Sequence, residues 1–140
     1  VANTQATSGV MKQVALAAVV DSKSLKAALY LASATTNGAN TVYTSTGEVS
    51  GSGYTAGGVS VTNANAAGLT STTAYWTPSA SIAFTTVTLA TAFDAVMIYS
   101  TTDSNRNLGV FTFGSQTITA GTFTLTMPTN DSSTGLIRFA

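Results

Sequence analysis

Short runs of strand-forming residues recur along this chain at intervals of roughly 8–15 residues, with turn clusters between them. They cover residues 24–35, 41–45, 59–63, 74–77, 81–89, 93–100, 108–113, 122–127 and 136–139. Turn signals stand at Asn37-Gly38, Asp103-Ser104-Asn105 and Ala120-Gly121. Many short strands joined this way make an antiparallel sandwich or barrel rather than a helical or parallel α/β fold. The abundant threonine agrees, because its branched Cβ suits a strand and its hydroxyl suits the wet face. The expectation is an all-β fold with one short N-terminal helix: an antiparallel β-sandwich, jelly-roll-like or immunoglobulin-like (Ig-like), in one domain.

Periodicity names the faces. In 24–35, Leu25, Ala27, Leu29 and Leu31 alternate with Lys26, Ala28 and Tyr30, the pattern of a half-buried strand. Ile82 and Phe84 share a face, as do Phe111 and Phe113, and Phe123, Leu125 and Met127. Phe93, Ala95, Met97 and Tyr99 share another, with Val96 and Ile98 opposite. A strand apolar on both faces is covered on both, here by a partner subunit or by the N-terminal helix. That helix is read from Met11 to Val20, with Met11, Val14 and Ala18 at i, i+3, i+7, Ser8 as its cap and Asp21-Ser22 as its end. Residues 1–20 thus form an extended arm and a helix, and 21–140 the sandwich. The start Val1-Ala2-Asn3 reads as a native N-terminus left by removal of an initiator Met.

Composition bears on chemistry. The 140 residues include no His and no Cys, and only five Lys or Arg and five Asp or Glu. Serine or cysteine hydrolysis by a histidine pair, thiolate metal sites and disulfides are therefore closed. Charged residues are 7%, against about 25% in an ordinary globular domain. A monomer uses charge to stay apart from its neighbours, so net zero with so few charges suits a chain packed against others. The cations do not form a basic patch, which argues against nucleic acid as a partner. The longest apolar run, Val14 to Val20, is far short of the ~20 residues that cross a bilayer, so no membrane partner is expected.

Few motifs remain. Gly51-Ser-Gly53-Tyr-Thr-Ala56 matches G-x-G-x-x-A, but a Ser/Gly-rich stretch precedes it and a β-type run follows, so it reads as a glycine loop and no cofactor is expected. The carboxylates Asp21, Glu48, Asp94, Asp103 and Asp131 are scattered, and an enzymatic reading needs two of them to converge. Asp94, inside an apolar run, reads as an exposed edge position or an ion pair with Arg106 or Arg138. Trp76 reads as a core or interface anchor, with a carbohydrate platform as the alternative.

Several blocks carry a resemblance. GEVSGSGYTAGGVSVT (47–62) resembles the NEVSGTGYTAGGxxLT segment of small tailed-bacteriophage and prophage virion proteins. SLKAALYLASAT (24–35), AFDAVMIYSTTDSNRNLGVFTFGS (92–115) and GTFTLTMPTNDSSTGLIRFA (121–140) are similar to other blocks of that family, in the same order. The chain departs from the family in its low charge, in Asp94 where the family has Gly or Ala, and in residues 63–80. The resemblance implies a virion structural role, with a β-sandwich or jelly-roll module on the capsid or in an appendage. The function it leads to is a non-catalytic capsid decoration (cement) protein on the capsid surface. Its partners would be the major capsid protein and other copies of itself, as a trimer. A tail, baseplate or fibre component that offers Tyr43, Tyr54, Tyr75 and Trp76 to glycan is the alternative. The contact residues expected are Val10, Met11 and Val14 of the helix, Gly51, Gly53, Tyr54, Gly57 and Gly58 of the glycine loop 47–58, and Trp76.

Overall fold

A computed structural model describes residues 3–140; the first two residues of the expected arm lie outside them. One helix, α1 (Gly9–Val20), precedes seven strands. These are β1 (Leu25–Leu31), β2 (Val59–Val61), β3 (Gly68–Thr70), β4 (Thr73–Trp76), β5 (Ile82–Ser100), β6 (Arg106–Leu125) and β7 (Ile137–Phe139). They form two antiparallel sheets, a four-stranded one in the order β2-β1-β5-β6 and a three-stranded one in the order β3-β4-β7. The fold is all-β and sandwich-like with one helix.

The expected strands 81–89 and 93–100 are one strand, β5, and 108–113 and 122–127 are joined in β6. Their separation in sequence nonetheless has a structural cause. Phe113 and Phe123 lie ten residues apart on β6, about 33 Å along a straight strand, yet their ring centroids are 5.2 Å apart. The β5–β6 hairpin is therefore bent back on itself. Register shifts crowd the stretch from Phe84 to Ala95, and Thr86 (φ 51°) and Ala120 (φ 44°) take left-handed backbone there. The turn expected at Ala120-Gly121 is thus part of the bend, while Asp103-Ser104-Asn105 is the true hairpin turn.

The bend also changes a face. Phe93 packs with Val96, Ile98, Phe84 and Val87 in the main core, while Ala95, Met97 and Tyr99 pack on the other side. A register shift between Phe93 and Ala95 breaks the expected four-residue alternation, since a slip of one residue turns every side chain over.

The main core also takes Leu25, Ala27 and Leu29 of β1, Ala74 and Trp76 of β4, and Leu16 and Val20 of α1. The helix is thus continuous with the sandwich core. Ser8 precedes it but makes no side-chain cap; its carbonyl accepts from Lys12 N at 3.2 Å. Gly9 is required by packing, because a Cβ there would lie 2.6 Å from Ser71 O. Asn63 ties the helix end to the core: its Nδ2 donates to Val20 O and Lys23 O, and its Oδ1 accepts from Trp76 Nε1.

The second face of β1 and β5 carries Ala28, Tyr30, Ala95, Met97 and Tyr99, packed with Ala34 and Tyr43. The chain's own segment 33–48 covers this face, where a partner or α1 was expected. Of the expected strand 41–45 only a bridge remains, Val42 to Arg106.

Candidate functional site

The densest polar cluster is built around Glu48. The next residue, Val49, bonds through its N–H to Leu29 O, which extends the sheet beyond β2 and points the Glu48 carboxylate at three donors. Tyr43 Oη donates to Oε2 at 2.6 Å, Tyr54 Oη to Oε1 at 2.7 Å, and Gly57 N to Oε1 at 2.8 Å. Tyr54 Oη also accepts from Leu29 N at 3.0 Å. Tyr99 stacks on Tyr43 with centroids 4.8 Å apart and donates to Gly57 O at 2.6 Å, and Tyr30 donates to Thr44 O at 2.6 Å. Burial, and secondly the Glu48 charge, push Tyr30 up to about 12. Burial, and secondly the hydrogen bond to Glu48, hold Tyr43 and Tyr54 far above the ordinary phenol range. Tyr99 is raised by burial and by the Glu48 charge. The carboxylate here is a tie that pins two loops to the sheet.

This cluster decides how the glycine loop behaves. Gly57 and Gly58 are buried, and Tyr54 is half-buried with its hydroxyl fully used. A Cβ on Gly58 (φ 78°) would lie 1.7 Å from Ala27 O. One on Gly51 would lie 2.0 Å from Thr88 O, and one on Gly53 (φ 80°) 2.1 Å from Thr86 O. These glycines let the loop lie flat on β1 and β5. No helix follows the G-x-G-x-x-A stretch; β2 does, so the geometry of a dinucleotide turn is not formed. Trp76 is 0% exposed and offers no surface to a partner. Of the residues expected at a contact, Gly57, Gly58, Tyr54 and Trp76 are thus turned to the chain's own interior.

The helix residues behave differently. Val10, Met11 and Val14 are 60%, 59% and 63% exposed. The helix rests on β3, β4 and β7 through Gly9, Leu16 and Val20, so the face marked by Met11, Val14 and Ala18 points outward, not into the core. Residues 3–8 before it are all exposed.

A second surface was not singled out in the sequence. β6 ends the four-stranded sheet. Only its first residues meet another segment: Tyr43 N donates to Asn105 O and Asn107 N to Thr41 O. Beyond them the edge is free among the described residues. Where the bent hairpin gapes, an apolar slot of about 180 Å³ opens, lined among others by Ile82, Val96, Phe111, Phe113, Leu125 and Met127. One signal was available: no charged residue occurs from Asn107 to Asn130, and natural edge strands are usually guarded by charge. A wider hollow of about 470 Å³ is lined by neutral groups, among them Ser33, Thr35, Thr36, Asn40 and Thr44.

The carboxylates do not converge. Asp21 accepts from Ala67 N, Asp131 from Ser133 N and Thr134 N, and Asp103 pairs with Lys23 at 3.1 Å. The Lys23 ammonium beside Asp103, and the Thr134 and Ser133 amides on Asp131, hold both carboxyls below their usual range. Asp94 lies in a central strand at a register shift, not on an edge, and the ion pair with Arg106 or Arg138 is not formed. Among the described residues, no three of Asp and Glu group as metal ligands, and no helix is long and apolar enough to cross a membrane. Comparison with protein-family models, curated proteins and solved structures gave no match.

Proposed function

We propose that this chain is a virion structural protein that works by binding alone, as a decoration (cement) protein on the outer surface of a phage capsid. There it would staple neighbouring major capsid subunits and contact other copies of itself. The observation that carries this reading is the outward apolar ridge of Val10, Met11 and Val14, next to an exposed arm, on a chain with ten charges in 140 residues. Exposed apolar area of this kind marks an interaction site, and a lattice multiplies weak contacts without any single strong one. The block-by-block resemblance of 24–35, 47–62, 92–115 and 121–140 to phage virion proteins supports the same assignment. The glycan-binding alternative has less support, because Trp76 is buried and the hydroxyls of Tyr43 and Tyr54 are held by Glu48.

The test is the copy number per virion, by quantitative mass spectrometry against the major capsid protein. A ratio near one per capsid subunit, or a simple fraction of it, is expected. A few copies per particle would place the protein on the tail or a vertex and end the decoration reading.

A further inference from the structure

We propose that a second copy of this chain occupies the open β6 edge. Its residues 3–8 would add as a strand along the edge, and its Val10–Met11–Val14 ridge would fill the adjoining slot. Two unmet needs on one molecule point to this occupant. Strand β6 presents backbone donors and acceptors beyond Asn107 that no other segment among the described residues takes up, and no charge guards them. Residues 3–7 are exposed, uncharged and without a hydrogen bond among the described residues. A chain that adds to such an edge is held by main-chain bonds, with side-chain pockets supplying the specificity.

The order of the features matches as well. The ridge follows the arm directly in sequence, and the slot lies directly against the edge, lined by Phe111, Phe113, Leu125 and Met127. A slot of 180 Å³ exceeds the ~150 Å³ that holds one benzene, enough for one or two aliphatic side chains. The edge and slot carry no charge, and Lys12, the one charged residue of 3–14, turns its ammonium to Thr72 O and Ala140 O, so the contact meets no repulsion between identical copies. It joins unlike surfaces, and is therefore heterologous: repeated, it closes a ring or runs on as a filament. This contact rests on the proposed binding between copies and uses the same ridge, but it is tested in solution without a capsid, so its failure and that of the capsid placement, read from copy number, are distinguishable.

Sedimentation velocity across a dilution series tests it, with two variants. Met11→Asp with Val14→Asp removes the ridge. Thr112→Lys with Thr126→Lys, at exposed positions lining the slot, blocks the acceptor. The wild-type protein should associate, and each variant, once shown to keep the wild-type melting temperature, should lose roughly 30-fold or more in association. Mixing the two variants should restore a one-to-one dimer, because each still carries the surface the other lacks. A monomeric wild type overturns the proposal. So does an undiminished ridge variant, the result expected if β6 pairs with β6, or a mixture that stays monomeric; a monomeric wild type is the result expected if β6 binds only another protein.

Discussion

Replacing Glu48 by Gln asks whether the tyrosine cluster is held by charge. The carboxylate accepts three bonds, from Tyr43, Tyr54 and Gly57, at 2.6–2.8 Å. A hydrogen bond to a charged group contributes about 1.5–3 kcal/mol, against about 1 for a neutral one. Gln keeps one oxygen, which can serve Tyr54 and Gly57, but its amide faces the Tyr43 hydroxyl, which must turn round to accept. Each of the two kept bonds weakens by about 1 kcal/mol, and the Tyr43 bond is partly lost, for a total of about 2–3 kcal/mol. With an unfolding entropy near 2.1 cal/mol/K per residue, 140 residues give about 0.3 kcal/mol/K, so Tm should fall by about 7–10 °C. Circular dichroism melting at neutral pH reads this directly, with Glu48→Ala expected to lose more. A Glu48→Gln protein that melts within about 2 °C of wild type would show that the cluster is held by shape and not by the charge.

Alkali should act on the same cluster. The folded-state phenol pKa values lie above the unfolded value near 10, with Tyr30 near 12. The unfolded chain therefore loses these protons first. Stability is level below about pH 10 and falls continuously as pH rises above it; titration at the phenolate absorbance band should show these tyrosines ionising together with unfolding, and gradual ionisation of a folded protein would contradict it. Gly58→Ala should cost about 4 kcal/mol or more, because the new Cβ meets the β1 backbone at a left-handed position. Gly38→Ala, with nothing within 4 Å, should stay within about 0.5 kcal/mol; chemical denaturation compares the two.

What could be read in advance followed the strength of the local signal. The alternation of Leu25, Ala27, Leu29 and Leu31 against Lys26, Ala28 and Tyr30 sorted the residues of β1 into its two faces, but the strand is not half-buried as expected: Ala28 and Tyr30 are buried as well, under segment 33–48, whose cover no period along β1 encodes. The same logic misplaced Phe93, since a register shift beside it leaves no mark in the apolar pattern. Strand β3, at Gly68–Thr70, carries too little apolar sequence to be visible. Val10, Met11 and Val14 of α1 stood among the expected contacts, and all three side chains are exposed. Met11, Val14 and Ala18 are apolar, but so are Leu16, Val19 and Val20, and with Lys12 and Gln13 its only polar residues the helix does not say which side is buried. In the glycine loop, expected as a contact, Gly57 and Gly58 are buried against the chain's own strands, whereas Gly51 and Gly53 lie close to β5 yet remain exposed. The β6 slot depends on a bend that brings Phe113 to Phe123, and no local pattern encodes a distance across ten residues.

Strand β1 has its longest partner in β5, where Leu31 pairs with Phe93 and Leu25 with Ser100. On a ribosome adding roughly 5–20 residues per second, the roughly 70 residues between Leu31 and Ser100 take about 3–14 s. Through that interval LKAALYL has only Val49 and the three-residue β2 to pair with. It is a seven-residue β-forming segment with one charge, the kind that seeds aggregation when left open. The nascent chain is thus most exposed to misassembly while β5 is still being made, and factors that shield emerging apolar segments would act on this protein in that window.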